Sequence, residues 1–232
     1  ATTSELAPSA SADDRVFAYV RNNGNLHVAL VVEDRSQGRT VDVDPGSGFA
    51  GIQEVAVAPD GQRVAYAFPD KAGGGQQIMS IGVDGKDKRS LTAGDDFDSS
   101  PRYSFDGRWI AFTSTRSGNY DVFVMSAEGR DVRRLTSHPG IDTHPTWSPD
   151  GKRIAYASLR AGNLDVFVRE ASHDADVSEF DATKGDVVGG DWQLTQHPER
   201  DDYPVWHPDG KHLVTVSERD GRHDLYLWSV PR

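Results

Sequence analysis

The sequence predicts an all-β fold of the β-propeller class, and three observations support this prediction. An Asp-Gly phrase, usually preceded by Pro, recurs along the 232 residues with its Asp at positions 60, 106, 150 and 209. The first two spacings, 46 and 44 residues, lie within the period of roughly 40–50 residues that is typical of propeller blades or helical solenoids. The third, 59 residues, is longer because the fourth repeat carries an insertion of 15 residues. Each Asp-Gly is followed by short apolar runs rich in Val, Ile, Tyr and Phe, a pattern of strands rather than helices.

Each repeat is predicted to form four antiparallel strands. The first and innermost strand precedes Asp-Gly, as in PTWS, and the second follows it, as in KRIAYAS. A Gly-containing loop such as LRAGNLD leads to the third strand, VFVR, and a short segment of the type RRLT forms the fourth. Asp-Gly suits the tight hairpin turn because Asp bonds backbone amides and Gly accepts positive φ. Since one four-stranded unit cannot bury both of its faces, the units are expected to stack radially as blades.

A fifth copy of the repeat is expected at the N-terminus. Pro8–Tyr19 aligns without a gap with Pro145–Tyr156, and Asp13 falls on Asp150. The repeats therefore start near residues 8, 55, 101, 145 and 204, within one domain over 1–232. The last repeat stops after its third strand, and we expect a five-bladed ring. Closure of the ring could recruit Ala1–Ser4 as the missing strand. The alternative is part of a six- or seven-bladed ring.

Composition excludes several classes of function. A net charge of −11 disfavours binding to nucleic-acid phosphates and to anionic membranes. No apolar run approaches the roughly 18 residues that a membrane-spanning helix needs, so membrane insertion is not expected. The absence of Cys excludes disulfides, thiolate nucleophiles and zinc–cysteine sites.

The last three repeats resemble those of the TolB propeller family. The resemblance is carried by PTWSPDGKRIAYASLRAGNLDVFV, PRYSFDGRWIAFTSTRSGNYDVFVMSAEGRDVRRLT and PVWHPDGKHLVTVSERDGRHDLYLW, and it extends more weakly over residues 8–232. It implies a bacterial protein in the periplasm or outside the cell that serves as a scaffold for a protein or peptide partner. Similar repeats form the propellers of prolyl-oligopeptidase-like peptidases, but no G-x-S-x-G elbow is present here.

Candidate site residues lie in loops predicted to share one face, around the central channel. The loops that join one blade to the next, and those between second and third strands, carry a mixture of acidic, basic and aromatic side chains. The Asp and Arg residues that recur from blade to blade in the last three repeats are expected to hold the loops by hydrogen bonds and ion pairs. Residues that vary between blades suit a ligand, and they are His144, Tyr203, Tyr120, His223 and Phe97. The predicted binding residues are Phe97, Asp98, Arg116, Tyr120, His138, Asp142, His144, Arg160, His197, Asp201, Tyr203, Arg219 and His223.

Two other functions are left open by the sequence. No cofactor is required by any motif, but His138, His144, His197 and Asp142 are candidate metal ligands, and the ring of carboxylates suits Ca²⁺ or another divalent cation. Similar repeats form oligogalacturonate lyases that use a metal held by propeller histidines. The resemblance therefore also implies a metal-assisted polysaccharide lyase or hydrolase that uses these histidines and Arg160. The second alternative is a propeller module of a larger multi-domain protein.

Two further features are predicted from the repeat alignment. The fourth repeat carries an acidic 15-residue insertion between Val168 and Leu194, expected to be a solvated loop on the opposite face. The recurring aromatic residues are expected to pack between blades rather than to form a cofactor site. They are Trp109, Trp147, Trp206, Tyr103, Phe112 and Tyr156.

Overall fold

The computed structural model describes residues 4–22, 28–43, 52, 54–69, 74–171 and 191–231. Within these ranges there is no helix, and every named strand belongs to one of five antiparallel sheets. The predicted all-β propeller with five blades is therefore confirmed.

The strands follow the predicted repeats. The first blade contains β1 (Ser4–Ala10), β2 (Val16–Asn22), β3 (Val28–Asp34) and β4 (Arg39–Val43). The second contains β5 (Val55–Val57), β6 (Arg63–Pro69), β7 (Gln76–Gly82) and β8 (Arg89–Ser90). The third contains β9 (Asp98–Tyr103), β10 (Trp109–Ser114), β11 (Asp121–Ser126) and β12 (Arg133–Arg134). The fourth contains β13 (Asp142–Trp147), β14 (Arg153–Ser158), β15 (Asp165–Glu170) and β16 (Trp192–Gln193). The fifth contains β17 (Asp201–Trp206), β18 (His212–Arg219) and β19 (Arg222–Ser229).

Strand order within each sheet is the order along the chain. The first four blades have four strands each, and the fifth has three in the described part of the chain, as the sequence predicted. Sequential antiparallel pairing needs only short connections between neighbouring strands. The 15-residue insertion of the fourth blade falls mostly on residues 172–190, which lie outside the described residues.

The first blade confirms the gapless alignment of the N-terminal copy. Ser11 Oγ donates to Asp13 Oδ1 at 2.6 Å, and Ser148 Oγ donates to Asp150 Oδ1 at the same distance. Asp14 takes the Gly position of the turn with a φ of 55°, a left-handed conformation that Asp tolerates better than most residues.

Ser4 does not take the closing position suggested for Ala1–Ser4. β1 begins at Ser4, which pairs with Asn22 in the same blade. Ser4 is therefore part of an inner strand and does not supply a closing strand, while Ala1–Thr3 lie outside the described residues.

A bulge interrupts the inner strands and places one residue of each in an unusual conformation. The pairing register shifts between Thr143 and Thr146 in β13 and between Asp202 and Val205 in β17. The residue before the strand Pro has positive φ, at 51° for both His144 and Tyr203. A bulge leaves a residue outside the ladder and re-aims its side chain. These two side chains therefore leave the regular alternation of their strands.

The chain divides into two compact units, Ala1–Ile110 with Ser126–Arg130, and Ala111–Met125 with Asp131–Arg232. In the first unit, apolar side chains of β2 and β3 pack with those of β5 and β6. In the second, β14 and β15 pack against Trp206 and Leu213 of the fifth blade. Of the aromatic residues predicted to be core, Trp147, Trp206, Phe112 and Tyr156 are buried, whereas Trp109 and Tyr103 are only half-buried.

Candidate functional site

Two blades repeat the same buried ion pair at their loop end. Arg160 Nη2 lies 3.2 Å from both carboxylate oxygens of Asp142, and Arg219 Nη2 donates to Asp201 Oδ1 at 2.7 Å. Both aspartates are fully buried. Arg160 lies just after the second strand of its blade, Arg219 is the last residue of that strand in the next blade, and each Asp begins the first strand. The pair therefore ties the loop end of each blade together.

Arg160 joins a larger network in the fourth blade. Its Nη1 donates to Asp191 Oδ2 at 3.0 Å, and its Nη2 donates to the Tyr156 hydroxyl at 2.9 Å. Arg169 Nε lies 3.5 Å from Asp191 Oδ1. Burial raises the pKa of Asp142 above its ordinary value, although Arg160 opposes the shift. Burial, with the charges of Asp191 and Asp142, likewise raises the pKa of Tyr156.

The loops that carry His138 and His197 are closed by an Asn from the preceding loop of the same blade. Asn119 Nδ2 donates to the carbonyls of His138, Pro139 and Gly140 at 3.0–3.2 Å. Asn163 Nδ2 donates to the carbonyls of His197 and Glu199 at 2.7 and 2.8 Å. These bonds satisfy turn carbonyls that the strands leave without a partner.

Both histidines also use one ring nitrogen inside their own turn. His138 Nδ1 accepts the backbone N–H of Gly140 at 2.9 Å, and His197 Nδ1 accepts that of Glu199 at 3.1 Å. An accepting Nδ1 is unprotonated, which suits a neutral ring. Burial and the nearby Arg160 lower the pKa of His138, despite the opposing charges of Asp142 and Asp191. Both side chains therefore stabilise their turns.

His144 and Tyr203 occupy the same bulge position in neighbouring blades and stack on each other. Their ring centroids lie 4.2 Å apart at an interplanar angle of 27°. His144 Nδ1 lies 2.7 Å from Asp202 Oδ1. Since an ionised carboxylate only accepts hydrogen bonds, Nδ1 carries the proton. Tyr203 is 45% exposed, although the neighbouring Asp202 is buried.

Asp202 organises the surroundings of this aromatic pair. Its Oδ1 also accepts the backbone N–H of Tyr203 at 2.7 Å, and its Oδ2 accepts a hydrogen bond from Arg200 Nη2. The Arg200 guanidinium lies 5.8 Å from the Tyr203 ring centroid. Burial alone raises the pKa of Asp202, but the bonds from His144, Arg200 and the Tyr203 backbone outweigh burial and lower it. We call His144, Arg200, Asp202 and Tyr203 the His144–Tyr203 patch.

The other predicted binding residues have separate surroundings. Arg116 Nε donates to Ser114 Oγ at 2.8 Å, and its guanidinium lies over the rings of Phe112 and Phe123. Tyr120 is exposed, and its carbonyl accepts the N–H of Asp142. His223 Nε2 is 3.9 Å from Glu218 Oε2.

Phe97 and Asp98 belong to the other compact unit. Phe97 is exposed and Asp98 is fully buried. The Asp98 carbonyl accepts a hydrogen bond from Gln76 Nε2 at 3.1 Å.

The four candidate metal ligands are not gathered into one cluster. Among the described residues, one group of three His, Cys, Asp or Glu side chains has ligand atoms within 4.8 Å of one another, and it consists of His207, Asp209 and His212. His138, His197, His144 and Asp142 instead make the turn and ion-pair contacts given above. The involvement of Ca²⁺ or another cation at these residues stays a prediction.

Four residues of the site were not predicted from the sequence, namely Asp202, Arg200, Asn119 and Asn163. A signal for Asp202 was present, because its position follows the recurring Asp and is occupied by Thr143 in the fourth blade. A signal for the two Asn was also present, in the shared phrase Gly-Asn before the third strand.

Comparison with known families and structures supports the repeat assignment. The profile of the TolB beta propeller domain matches residues 1–129 and 115–187. Comparison with the curated proteins gives no significant match. Among the described residues, no helix is long and apolar enough to cross a membrane.

Several solved structures have the same fold at low sequence identity. TolB from Acinetobacter baumannii superposes with a TM-score of 0.72 at 23% identity, covering 97% of this chain and 52% of that one. A putative TolB from Agrobacterium tumefaciens gives 0.71 at 20% identity, with 97% and 76% covered. An oligogalacturonate lyase in complex with manganese gives 0.64 at 19% identity, with 100% and 66% covered. The chain thus spans about half the length of the A. baumannii protein, and these likenesses show the fold alone.

Proposed function

The chain belongs to the TolB β-propeller family, and from that premise we propose that it is a non-catalytic scaffold that binds a protein or peptide partner through the His144–Tyr203 patch. The proposed location is the bacterial envelope or the extracellular space. The observation that carries the proposal is the stacked pair of His144 and exposed Tyr203, held by the buried carboxylate of Asp202.

Preorganisation is the main physical argument for binding. The Tyr203 ring is fixed on one side by stacking, and its backbone N–H is bonded to Asp202. A side chain held in one conformation before binding loses less entropy when a partner covers it. Tyr and Arg are also the residue types that contribute most often to the energy of protein interfaces. The patch presents both, with Arg200 beside Tyr203.

The residues around the patch support a scaffold role. Arg160 and Arg219 are paired with buried carboxylates, and His138 and His197 complete turns. These contacts fix the loops from which the patch projects. The positive φ of His144 and Tyr203 recurs at Ala7 and Ser100, so it is a feature of the repeat. In the fourth and fifth blades this bulge directs an aromatic side chain away from the regular strand alternation.

A site-specific photo-cross-linking experiment tests the proposal. Tyr203 is replaced by the photoreactive aromatic benzoylphenylalanine, and the protein is irradiated in a bacterial envelope extract. We expect a discrete cross-linked partner that an excess of the unmodified protein competes away. With the partner purified, Tyr203→Ser is expected to weaken its binding by roughly 30-fold, the effect of losing an interface residue worth about 2 kcal/mol.

Phe105 provides the matched control. It is exposed to a similar degree and lies on the turn between β9 and β10. Benzoylphenylalanine at position 105 is expected to give no competed product. The same products from positions 203 and 105, or an affinity unchanged by Tyr203→Ser in a folded protein, contradict the proposal.

A further inference from the structure

The Asp-Gly turn of the fifth blade departs from the other turns at two positions. In the first, third and fourth blades, a Ser two residues before the turn Asp donates to its carboxylate at 2.6 Å. In the fifth blade this position is His207, and His212 stands where the fourth blade has Arg153. Both changes introduce an imidazole beside the same carboxylate, that of Asp209.

Backbone hydrogen bonds hold this turn in a defined shape. The N–H groups of Lys211 and His212 donate to Asp209 Oδ1 at 2.8 and 3.1 Å. The N–H of Gly210 donates to the His207 carbonyl at 3.0 Å, and that of His207 to the His212 carbonyl at 2.9 Å. The Asp209 carboxylate is therefore oriented by the backbone, with Oδ2 directed toward His212.

The two imidazoles converge on this carboxylate. His212 Nδ1 lies 2.6 Å from Asp209 Oδ2, and His207 Nδ1 lies 3.2 Å from Asp209 Oδ1. The two rings are nearly perpendicular, with centroids 6.1 Å apart. A ligand atom from each of the three residues lies within 4.8 Å of the other two. The side chains of His207, Asp209 and His212 are 50%, 34% and 34% exposed, so an ion reaches them from solvent.

The donor set matches a divalent transition metal. Two imidazole nitrogens and one carboxylate oxygen suit Zn²⁺, Cu²⁺ or Ni²⁺, whereas Ca²⁺ and Mg²⁺ prefer oxygen ligands alone. Bonds of about 2.0–2.1 Å to zinc place tetrahedral ligand atoms about 3.3 Å apart. His207 Nδ1 also accepts a hydrogen bond of 3.3 Å from the Asp209 N–H, so an ion at this nitrogen replaces that bond. Both imidazoles are exposed enough to turn toward a shared ion, while the N–H groups of Lys211 and His212 keep Asp209 Oδ1 in place.

We propose that His207, Asp209 and His212 form a binding site for one divalent transition-metal ion, of the Zn²⁺ class, at the β17–β18 turn. Three protein ligands leave a fourth coordination position for water or for a group from another molecule. The site is separate from the His144–Tyr203 patch. Asp202 and Tyr203 lie at the start of β17, whereas the β17–β18 turn follows the other end of that strand.

Zinc titration of the untagged full chain tests the proposal, with competition against a chromophoric chelator as the readout. The chain is expected to bind one equivalent of Zn²⁺ that excess Ca²⁺ does not displace. His207→Ser restores the Ser that the fourth blade has at this position, and His212→Arg restores its Arg, so both variants keep turns that this fold already uses. Each is expected to lower the affinity for Zn²⁺ at least tenfold.

His223→Ser is the matched control, because His223 is an exposed His of the same blade outside the turn. It is expected to bind Zn²⁺ as the parent chain does. Thermal unfolding supplies a second readout, since an ion that binds the folded state raises Tm. Zn²⁺ should raise the Tm of the parent and of His223→Ser, but not that of the double variant His207→Ser, His212→Arg. Equal Zn²⁺ affinity in the parent and the folded double variant, or loss of binding in His223→Ser, overturns the proposal.

Discussion

At the scale of the residue, the side chain of Asp202 distinguishes the start of the fifth blade's inner strand from that of the fourth, because it holds His144 and Tyr203 in place. The fourth blade has Thr143 after its buried Asp, whereas the fifth blade has Asp202. Asp202 is buried and accepts bonds from His144, Arg200 and its neighbour's backbone. A buried carboxylate is stable only when such donors compensate for the loss of water. Asp202 therefore holds the His144 ring and the Tyr203 backbone at the same time, and the two rings are kept in their stacked arrangement.

The pH dependence of stability is expected to report this anchor. The lowered pKa of Asp202 means that its ionised form is favoured in the folded state. Its contribution is fully present above its unfolded pKa of about 3.8 and is lost as the pH falls through the lower folded pKa. Asp202→Asn should cost about 1.5–3 kcal/mol of unfolding free energy near pH 7, typical of a hydrogen bond to a charged group.

Urea unfolding of both proteins between pH 2 and 7 measures this difference. The gap between parent and Asp202→Asn is expected to narrow below about pH 4. A gap that stays constant over the whole range would show that Asp202 does not act through its charge.

At the scale of the element, an Asn in the loop between the second and third strands bonds to the turn that follows the fourth strand of the same blade. Asn119 and Asn163 make equivalent bonds in the third and fourth blades, each to the His-Pro turn after the fourth strand. In the fifth blade the same position is Arg222, within β19. These hydrogen bonds thus hold the segment that leads into the inner strand of the next blade. That strand carries the bulge residue, His144 or Tyr203.

Asn163→Ala is expected to loosen this connection. Loss of the donor leaves two turn carbonyls without their partner, at a cost of about 1–3 kcal/mol. Hydrogen exchange should become faster at the amides of Glu199 and Asp201, which are bonded to His197 Nδ1 and to the Leu164 carbonyl. Arg222→Ala, at the equivalent position of the fifth blade, is the control and should leave these amides unchanged. Unchanged exchange in Asn163→Ala would show that the turn is held by its own His-Pro geometry.

At the scale of the whole molecule, the faces of the blades have different surroundings. In the second unit, Leu213 is fully buried among Ala155, Val166 and Trp206. On the neighbouring strand β19, Leu225 and Leu227 are 74% and 63% exposed. Apolar side chains of one blade therefore contribute to stability very unequally, according to the face on which they lie.

A pair of Leu→Ala variants measures this inequality. Leu213→Ala is expected to lower the unfolding free energy by about 2–5 kcal/mol, because it removes buried methyl groups and leaves a cavity. Leu225→Ala should change it by less than about 0.5 kcal/mol, as is usual for an exposed side chain. Thermal or urea denaturation gives both values, and similar costs for the two variants would contradict the burial of Leu213 against the fourth blade.

Much of the fold was predictable from sequence because its determinants are local. The N-terminal copy was located by a gapless alignment although it lacks Trp and Gly, and the structure gives it the same Ser–Asp bond as the fourth blade. The place of Ser4 in the inner strand was not predicted, because the alignment was read only from Pro8 onward. The site was predicted in part: His144 and Tyr203 were identified as varying loop residues, but Asp202, Arg200 and the two Asn were missed.

The sequence by itself determined the strand pattern, the blade period, the turn chemistry and the family, because each depends on residues close together in the chain. Tertiary structure alone decided which side chains from different blades meet. His144 and Asp202 are separated by 58 positions in sequence, and the bulges that bring them together depend on pairing between strands. Recurrence in the sequence marks the Asp and Arg residues without showing which of them pair, whereas burial in the folded chain makes each pairing necessary because a charge removed from water requires a partner.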